Sequence, residues 1–387
     1  MSNVSIRGLS KRFGGKVPAT AIDDLALEVQ PGEFLVLLGP SGCGKTTTLR
    51  CIAGLESADE GTISFGDRTV FDAGRGTNVP PNKRNIGMVF QSYALWPHMT
   101  VRQNIGYPLK ARRVKRATAA EWIEGAAELV DCTALLDRYP GQLSGGQQQR
   151  VALSRGLVAR PDLVLFDEPL SNLDARLRDQ VRSEIHELHE RLHFTAVYVT
   201  HDQSEALALG DRLAIMRAGK IEQLGRPEEV FEEPATEYVA GFIGMENRLT
   251  LERQESGGGW RHDSEPLKGD LGFDDRAYES LTVRARPEDL QLWKPGMPAA
   301  PDTLSFTAIV ADSEFGGRSM DVVLTVAGTR LHSRMPAGER GDWIRSLNAG
   351  EQVNACFRTT DLTFFDQDGA RIVAESATLK PESVVGV

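Results

Sequence analysis

Four short stretches of the chain carry residue types that suit phosphate chemistry. Residues 39–47 read GPSGCGKTT, and Gly39, Gly44, Lys45 and Thr46 fit the spacing G-x-x-x-x-G-K-[ST]. The pattern follows an apolar run, FLVLL at 34–38, and opens a helical stretch. In that context the loop from Gly39 through Pro40, Ser41, Gly42, Cys43 and Gly44 to Thr47 wraps phosphates with backbone N–H groups, helped by the helix dipole. Lys45 is then expected at the β- and γ-phosphates and the Thr46 hydroxyl on Mg²⁺. LVLFDEP at 163–169 ends an apolar run in two carboxylates, where α/β sites sit. Asp167 suits Mg²⁺ and Glu168 suits a general base that polarises water. His201 ends a third apolar run, AVYVT, and its imidazole can contact a γ-phosphate. Gln91 ends NIGMVFQ; its amide oxygen can ligate Mg²⁺ or orient water.

A second glycine loop poses a question. LSGGQQQR at 143–150 also offers bare backbone N–H groups to an anion, although the chain already has a phosphate loop. Other patterns are weaker. Cys43 is either a thiol activated by the helix N-terminus or a small residue that fits, and the second reading is preferred. HERLH at 189–193 matches H-E-x-x-H, with His186 on the same helical face as His189 and His193. No third ligand is evident downstream, so a solvated polar face is expected. The basic run LKARRVKR at 109–116 reads as a solvated helix face.

The elements that must position these residues emerge from hydrophobic patterning. EFLVLLG, NIGMVF, DLVLFDE, AVYVT and RLAIMRAG read as strands, several of them apolar throughout, as in strands buried on both faces. Helical patterns lie between them at 118–131, 146–159 and 175–193, so an α/β domain with a largely parallel sheet is expected. After about residue 245 strand-like segments separated by Gly, Pro and Asp turns predict a small all-β domain, with a loop over 253–276. At 387 residues, two or three domains are expected. The formal net charge of −10 argues against a nucleic-acid binder. Four scattered cysteines show no C-x-x-C spacing, which points to reduced thiols rather than zinc or disulfides. The opening MSNVSIRGLS has no apolar core of the signal-peptide kind, and no run approaches a membrane span, so a cytoplasmic chain is expected.

Taken together, the phosphate loop, Gln91, LSGGQQQR, LVLFDEP, SNLDA (171–175) and His201 resemble, in order and context, the motifs of ATP-binding cassette (ABC) transporter ATPases over about residues 3–240. FQSYALWPHMTV (90–101) and the β-rich C-terminal region resemble, more narrowly, the ATPase subunits of bacterial binding-protein-dependent importers of the maltose, polyamine, sulfate and ferric-iron types. The resemblance implies a P-loop core over 1–240 with a helical subdomain at about 100–160. An OB-like domain of the TOBE/MOP type would occupy 241–387. It implies ATP and Mg²⁺ as cofactors and hydrolysis by Glu168 and His201. Phe13 would stack on adenine. Ser144, Gly145 and Gly146, with Gln147 beside them, would close over the γ-phosphate held by the partner subunit's Lys45. Asp174 would link the two sites. Gly156 stands where the family usually has Ala.

The implied partners are a second copy of the chain, two transmembrane permease subunits meeting residues 92–99, and, indirectly, an extracytoplasmic solute-binding protein. Tyr93, Leu95 and Trp96 are then either exposed anchors or core. The chain would sit on the inner face of the membrane through the permease. The tryptophan in ALWPHMTV inclines the expected cargo towards ferric iron or a polyamine, with sugars as the alternative. A soluble ABC ATPase acting on ribosomes or DNA would carry tandem cassettes or coiled-coil arms, and neither is visible.

Overall fold

The computed structural model describes residues 3–14, 18–254, 259–297, 302–338 and 342–373. The chain divides into two compact units, Met1–Glu232 and Glu233–Val387. Within the second unit Glu237 forms ion pairs with Arg248 and Arg284.

The first unit opens with β1 (Val4–Phe13), β2 (Ala19–Val29), β3 (Phe34–Leu38) and α1 (Lys45–Ala53), then the short strands β4 (Glu60–Phe65), β5 (Arg68–Asp72) and β6 (Thr77–Asn78). β7 (Ile86–Phe90) leads to three helices, α2 (Val101–Ala111), α3 (Arg116–Glu128) and α4 (Gly145–Leu157), in the region expected to be helical. Alternation then resumes with β8 (Leu163–Asp167), α5 (Ala175–Leu192), β9 (Ala196–Thr200), α6 (Gln203–Leu209), β10 (Arg212–Arg217), β11 (Lys220–Gly225) and α7 (Pro227–Glu232).

These strands form two sheets. The order β11-β10-β3-β9-β8-β7 is parallel throughout except for the edge strand β11. β3, β8 and β9 are buried at every residue, which is what a continuous apolar run means when both faces are covered. The second sheet, β2-β1-β4-β5-β6, has no counterpart among the expected strands. Its long strands mix apolar and charged residues and pair with register shifts between Ile6 and Leu9, so no continuous apolar run announces them. Where β7 meets α4, a Cβ on Gly87 would lie 2.1 Å from the Gly156 carbonyl oxygen. Only glycine lets strand and helix touch there.

The second unit carries α8 (Glu237–Phe242), β12 (Asn247–Arg253), β13 (Trp260–His262), β14 (Glu265–Pro266), β15 (Ser280–Ala285), β16 (Gln291–Trp293), β17 (Thr303–Phe315), β18 (Ser319–Val326), β19 (Thr329–Pro336), α9 (Asp342–Arg345), β20 (Gln352–Arg358) and β21 (Thr363–Phe365). They form two five-stranded antiparallel sheets, β14-β13-β12-β15-β21 and β16-β20-β17-β18-β19. Residues from both sheets, among them Leu249, Leu281, Phe306, Val322 and Phe357, share one core. The expected loop at 253–276 contains β13 and β14; its residues 255–258 lie outside the described ones. Trp260 is buried there, its Nε1 donating to Asp275.

Candidate active site

The parallel register gathers the predicted residues. Leu38 pairs with Thr200, Val199 with Asp167, and Asp167 with Phe90. The next residues along the chain, Gly39, His201, Glu168 and Gln91, therefore leave the sheet at one edge, the carboxyl ends of the strands, where open α/β sheets bind ligands.

The phosphate loop is built by close packing. Gly44 has φ 106°, and a Cβ there would lie 2.1 Å from the Ala21 carbonyl oxygen. On Gly39 it would lie 2.6 Å from the Met216 carbonyl oxygen. Gly42 is also left-handed, at φ 81°. Cys43 is buried, and its carbonyl accepts from the Gly219 N–H. That favours the reading of a small residue that fits. Lys45 is only 4% exposed and donates to the carbonyls of Gly39 (2.6 Å) and Pro40 (2.9 Å). Among the described residues no carboxylate pairs with it. Its Nζ also lies 3.9 Å from the Cys43 Sγ. A buried ammonium compensated only by neutral groups is electrostatically incomplete, and polyphosphate oxygens would complete it. α1 has no side-chain N-cap and no acidic residue in its first turn. Its leading N–H groups therefore suit an anion.

Asp167 is largely buried, and burial pushes its pKa up while Arg50 and the Thr46 hydroxyl oppose that. A carboxylate whose charge is disfavoured beside a hydroxyl fits a divalent cation, which reverses the penalty. Among the described residues no cluster of three His, Cys, Asp or Glu could hold a metal. A Mg²⁺ site here would therefore be of the mixed kind, with Thr46, Gln91 and Asp167 sharing the ion with phosphate oxygens. Bound there, Mg²⁺ neutralises phosphate charge.

Glu168 sits at φ 46°, a left-handed conformation rare for a residue with a side chain. Its N–H bonds the Val199 carbonyl and its carbonyl accepts from Ser171, so the strain is held from both ends. The His201 Nδ1 lies 3.4 Å from Glu168 Oε2. The carboxylate is mostly covered and the imidazole mostly exposed, so water reaches the pair from the His201 side. Asn172 donates to the Gln91 carbonyl at 2.9 Å, tying the Gln91 turn to the segment that ends in Asp174. Asp174 caps α5 by accepting from the Leu177 N–H.

The second glycine loop differs from the first. Ser144 caps α4, accepting from the Gln147 N–H, while Gln147 Oε1 accepts from the Ser144 N–H. Gly145 and Gly146 lie against Leu173 and Leu177, and a Cβ on Gly146 would come within 2.8 Å of the Leu177 side chain. Among the described residues, the side chains of Ser144 and Gln147 each accept from the other's backbone N–H and make no hydrogen bond to residues 39–47. Phe13 is 41% exposed at the end of β1, with the Lys11 ammonium 5.2 Å from its ring centre. It pairs with Ala19, about 7 Å along β2 from the Ala21 that abuts Gly44.

One open choice is settled and two expectations change. Tyr93 is buried, so it is core rather than an anchor, while Leu95 and Trp96 are half-buried. Trp96 packs on the exposed Tyr107, ring centres 4.2 Å apart, a residue that no sequence motif singles out. His189 is not on a solvated face: it packs edge-on against Phe34 and Phe194, with Nε2 3.0 Å from the Gly32 carbonyl oxygen. His186 and His193 are exposed. The basic run is no single helix face; it spans the end of α2, a turn and the start of α3. The residues behind His201 were also missed. Buried Glu205 accepts from Tyr198 Oη (2.8 Å) and Thr200 Oγ1 (2.7 Å), and Asp202 caps α6. The D-x-x-E spacing after an apolar run was the available signal.

Sheet order, phosphate loop and strand-end acids define a P-loop nucleotide triphosphatase. A family model described as ABC transporter matches residues 22–171, and one described as TOBE domain matches residues 283–365. The trehalose/maltose import ATP-binding protein of Thermococcus litoralis is 42% identical over 383 residues, covering 96% of this chain and 100% of that protein. The sn-glycerol-3-phosphate import ATP-binding protein of Brucella abortus biovar 1 is 42% identical over 376 residues, 96% of this chain and 99% of its own length. A solved dimeric ATP-binding cassette in a post-hydrolysis state, bound to ADP and Pi, superposes with a TM-score of 0.50 at 28% identity, over 58% of this chain and 98% of that one. The chain belongs to the ABC transporter family, among its importer-type, ATP-hydrolysing subunits with a C-terminal TOBE domain.

Proposed function

We propose that two copies of this chain close face to face around two ATP molecules and drive a membrane permease that imports a small hydroxyl-rich solute. The observation that carries the dimer is the contrast between the two glycine loops. Lys45 is a buried cation without a carboxylate partner among the described residues, whereas the loop at Ser144 has its own cap and no side-chain tie to residues 39–47. Such a loop is free to serve the other copy's site. In this reading Phe13 stacks on adenine, Lys45 and the Ser41–Thr47 backbone hold the phosphates, and Thr46, Gln91 and Asp167 hold Mg²⁺. Glu168 takes a proton from the attacking water. His201 contacts the γ-phosphate under attack and Asp174 joins the two sites. Ser144→Arg is expected to leave ATP binding by the isolated chain within about twofold and to abolish ATP-driven dimerisation in gel filtration. Weakened binding in the monomer would overturn this assignment.

Trp96, Tyr107 and Leu95 form the partly exposed face proposed for the permease, which would hold the chain at the inner membrane surface. No helix among the described residues is long and apolar enough to cross a membrane. The cargo reading rests on the relatives, named for trehalose/maltose and sn-glycerol-3-phosphate. The lean towards ferric iron or polyamines finds no support there. Deleting the chain's gene is expected to abolish uptake of labelled disaccharide or glycerol phosphate. Intact uptake of both, with loss of iron or spermidine uptake, would reverse the cargo assignment.

A further inference from the structure

Beyond Gln91 the chain turns sharply away from β7. Tyr93 and Ala94 are both left-handed, at φ 60° and 48°, and neither is glycine. Two such residues in succession persist only where their surroundings over-determine them. Here one side chain from another element does so. Arg155 of α4 donates from Nη1 to the Ala94 carbonyl and from Nη2 to the Tyr93 carbonyl, each at 2.6 Å. Its guanidinium lies 5.1 Å from the Trp96 ring centre. Arg155 is 6% exposed, and burial pushes its pKa down to about 10. Among the described residues it has no carboxylate partner, only two neutral carbonyls and a π-face. A methionine would fill similar space without desolvating a charge. What a methionine cannot supply is a planar fork that grips two successive carbonyls at once.

Among the described residues, two other side chains hydrogen-bond to the turn. Asn172 holds the Gln91 carbonyl, and Asn104 of α2 accepts from the Trp96 N–H at 2.9 Å and donates to the Trp96 and Met99 carbonyls at 3.1 Å. Arg155 is the link to α4, whose first turn begins at Ser144.

We propose that Arg155 is a positioning residue for ATP hydrolysis: it pins the turn so that Gln91 at one end and Trp96 at the other move with α4 as one body. This rests on the role given to Gln91 above. The test uses the full-length chain. Arg155→Lys keeps the charge but loses the fork. It is expected to lower kcat about tenfold with KM for ATP within about twofold. Hydrogen exchange should quicken at residues 92–99 and not along α4. Unchanged exchange at 92–99, or equal loosening of α4 as lost packing would give, overturns the pin. The double variant with Gln91→Ala should be no slower than Gln91→Ala alone; multiplied losses overturn action through Gln91. A Gln91→Ala chain with wild-type turnover removes the Gln91 assignment instead, and overturns with it any catalytic effect of the pin through that residue.

Discussion

Lys45 in the first unit and Glu237 in the second are both charged groups drawn largely out of water, and they are treated differently. Among the described residues, Lys45 meets only neutral groups of its own loop, the Gly39 and Pro40 carbonyls and the Cys43 sulfur. Burial pushes the Glu237 pKa up, but hydrogen bonds from Arg248 and Arg284 outweigh it and leave the carboxyl below its ordinary value. The contrast extends to neighbours. Asp167 has its pKa raised by burial, and Arg155 has no counter-ion among the described residues. In the second unit His262 uses both ring nitrogens, towards the Thr250 carbonyl and the Thr329 hydroxyl. Asn247 there donates to the Arg286 and His332 carbonyls and accepts from the His332 N–H. Polar groups that satisfy one another specify a fold. Charges that the fold leaves under-compensated have to be balanced by something that arrives later, which is how a binding site differs from a core.

The largest break in this contrast should come at Glu168. Glu168→Gln is expected to lower phosphate release by about 10²–10⁴ while an ATP-dependent dimer persists in gel filtration. Turnover at the wild-type rate would show that the strained carboxylate is not the base. Asp167→Asn sharpens the comparison through stability. The folded pKa of Asp167 is raised, so its contribution is present below the unfolded pKa and is lost as pH rises through the folded one. The nucleotide-free Asn variant should thus melt above wild type at pH 7, with the gain shrinking as pH falls, and should lose the extra stability that Mg²⁺-ATP confers. A lower melting point at pH 7 would mean the burial penalty is already offset. The smallest effect is expected at Glu237. Its pKa is lowered, so its contribution is present above the unfolded pKa and lost as pH falls through the folded one. Glu237→Gln should cost about 1 kcal/mol in denaturant titration and leave turnover unchanged. Impaired hydrolysis in that variant would blur the division between the units.

Much of the site was legible because its pieces are contiguous. The phosphate loop, the Asp167–Glu168 pair and His201 each follow an apolar run, and a parallel sheet brings such ends together without further information. The features that escaped reading depend on partners remote in the chain. Arg155 binds carbonyls 61 and 62 positions away, and Asn172 binds one 81 positions away. In the sequence Tyr93 fits an anchor and a core residue equally, and only the turn that buries it decides. His189 looks polar until Phe34, 155 positions earlier (189 − 34), packs against it. The sheet β2-β1-β4-β5-β6 of the first unit was hidden because β1 and β2 mix buried and exposed positions and pair with register shifts.

The crossing of β7 and α4 has a consequence for how lineages of this chain can drift. At residue 87 a single methyl would strike the Gly156 carbonyl oxygen at 2.1 Å, whereas at residue 156 it would meet the Val89 side chain at 3.4 Å. Two glycines in one contact are thus unequal: one is closed to exchange and the other open to alanine. Descendants should carry an unchanging glycine at 87 beside a position 156 that flickers between two residues. The second makes a poor marker of ancestry and the first a dependable one.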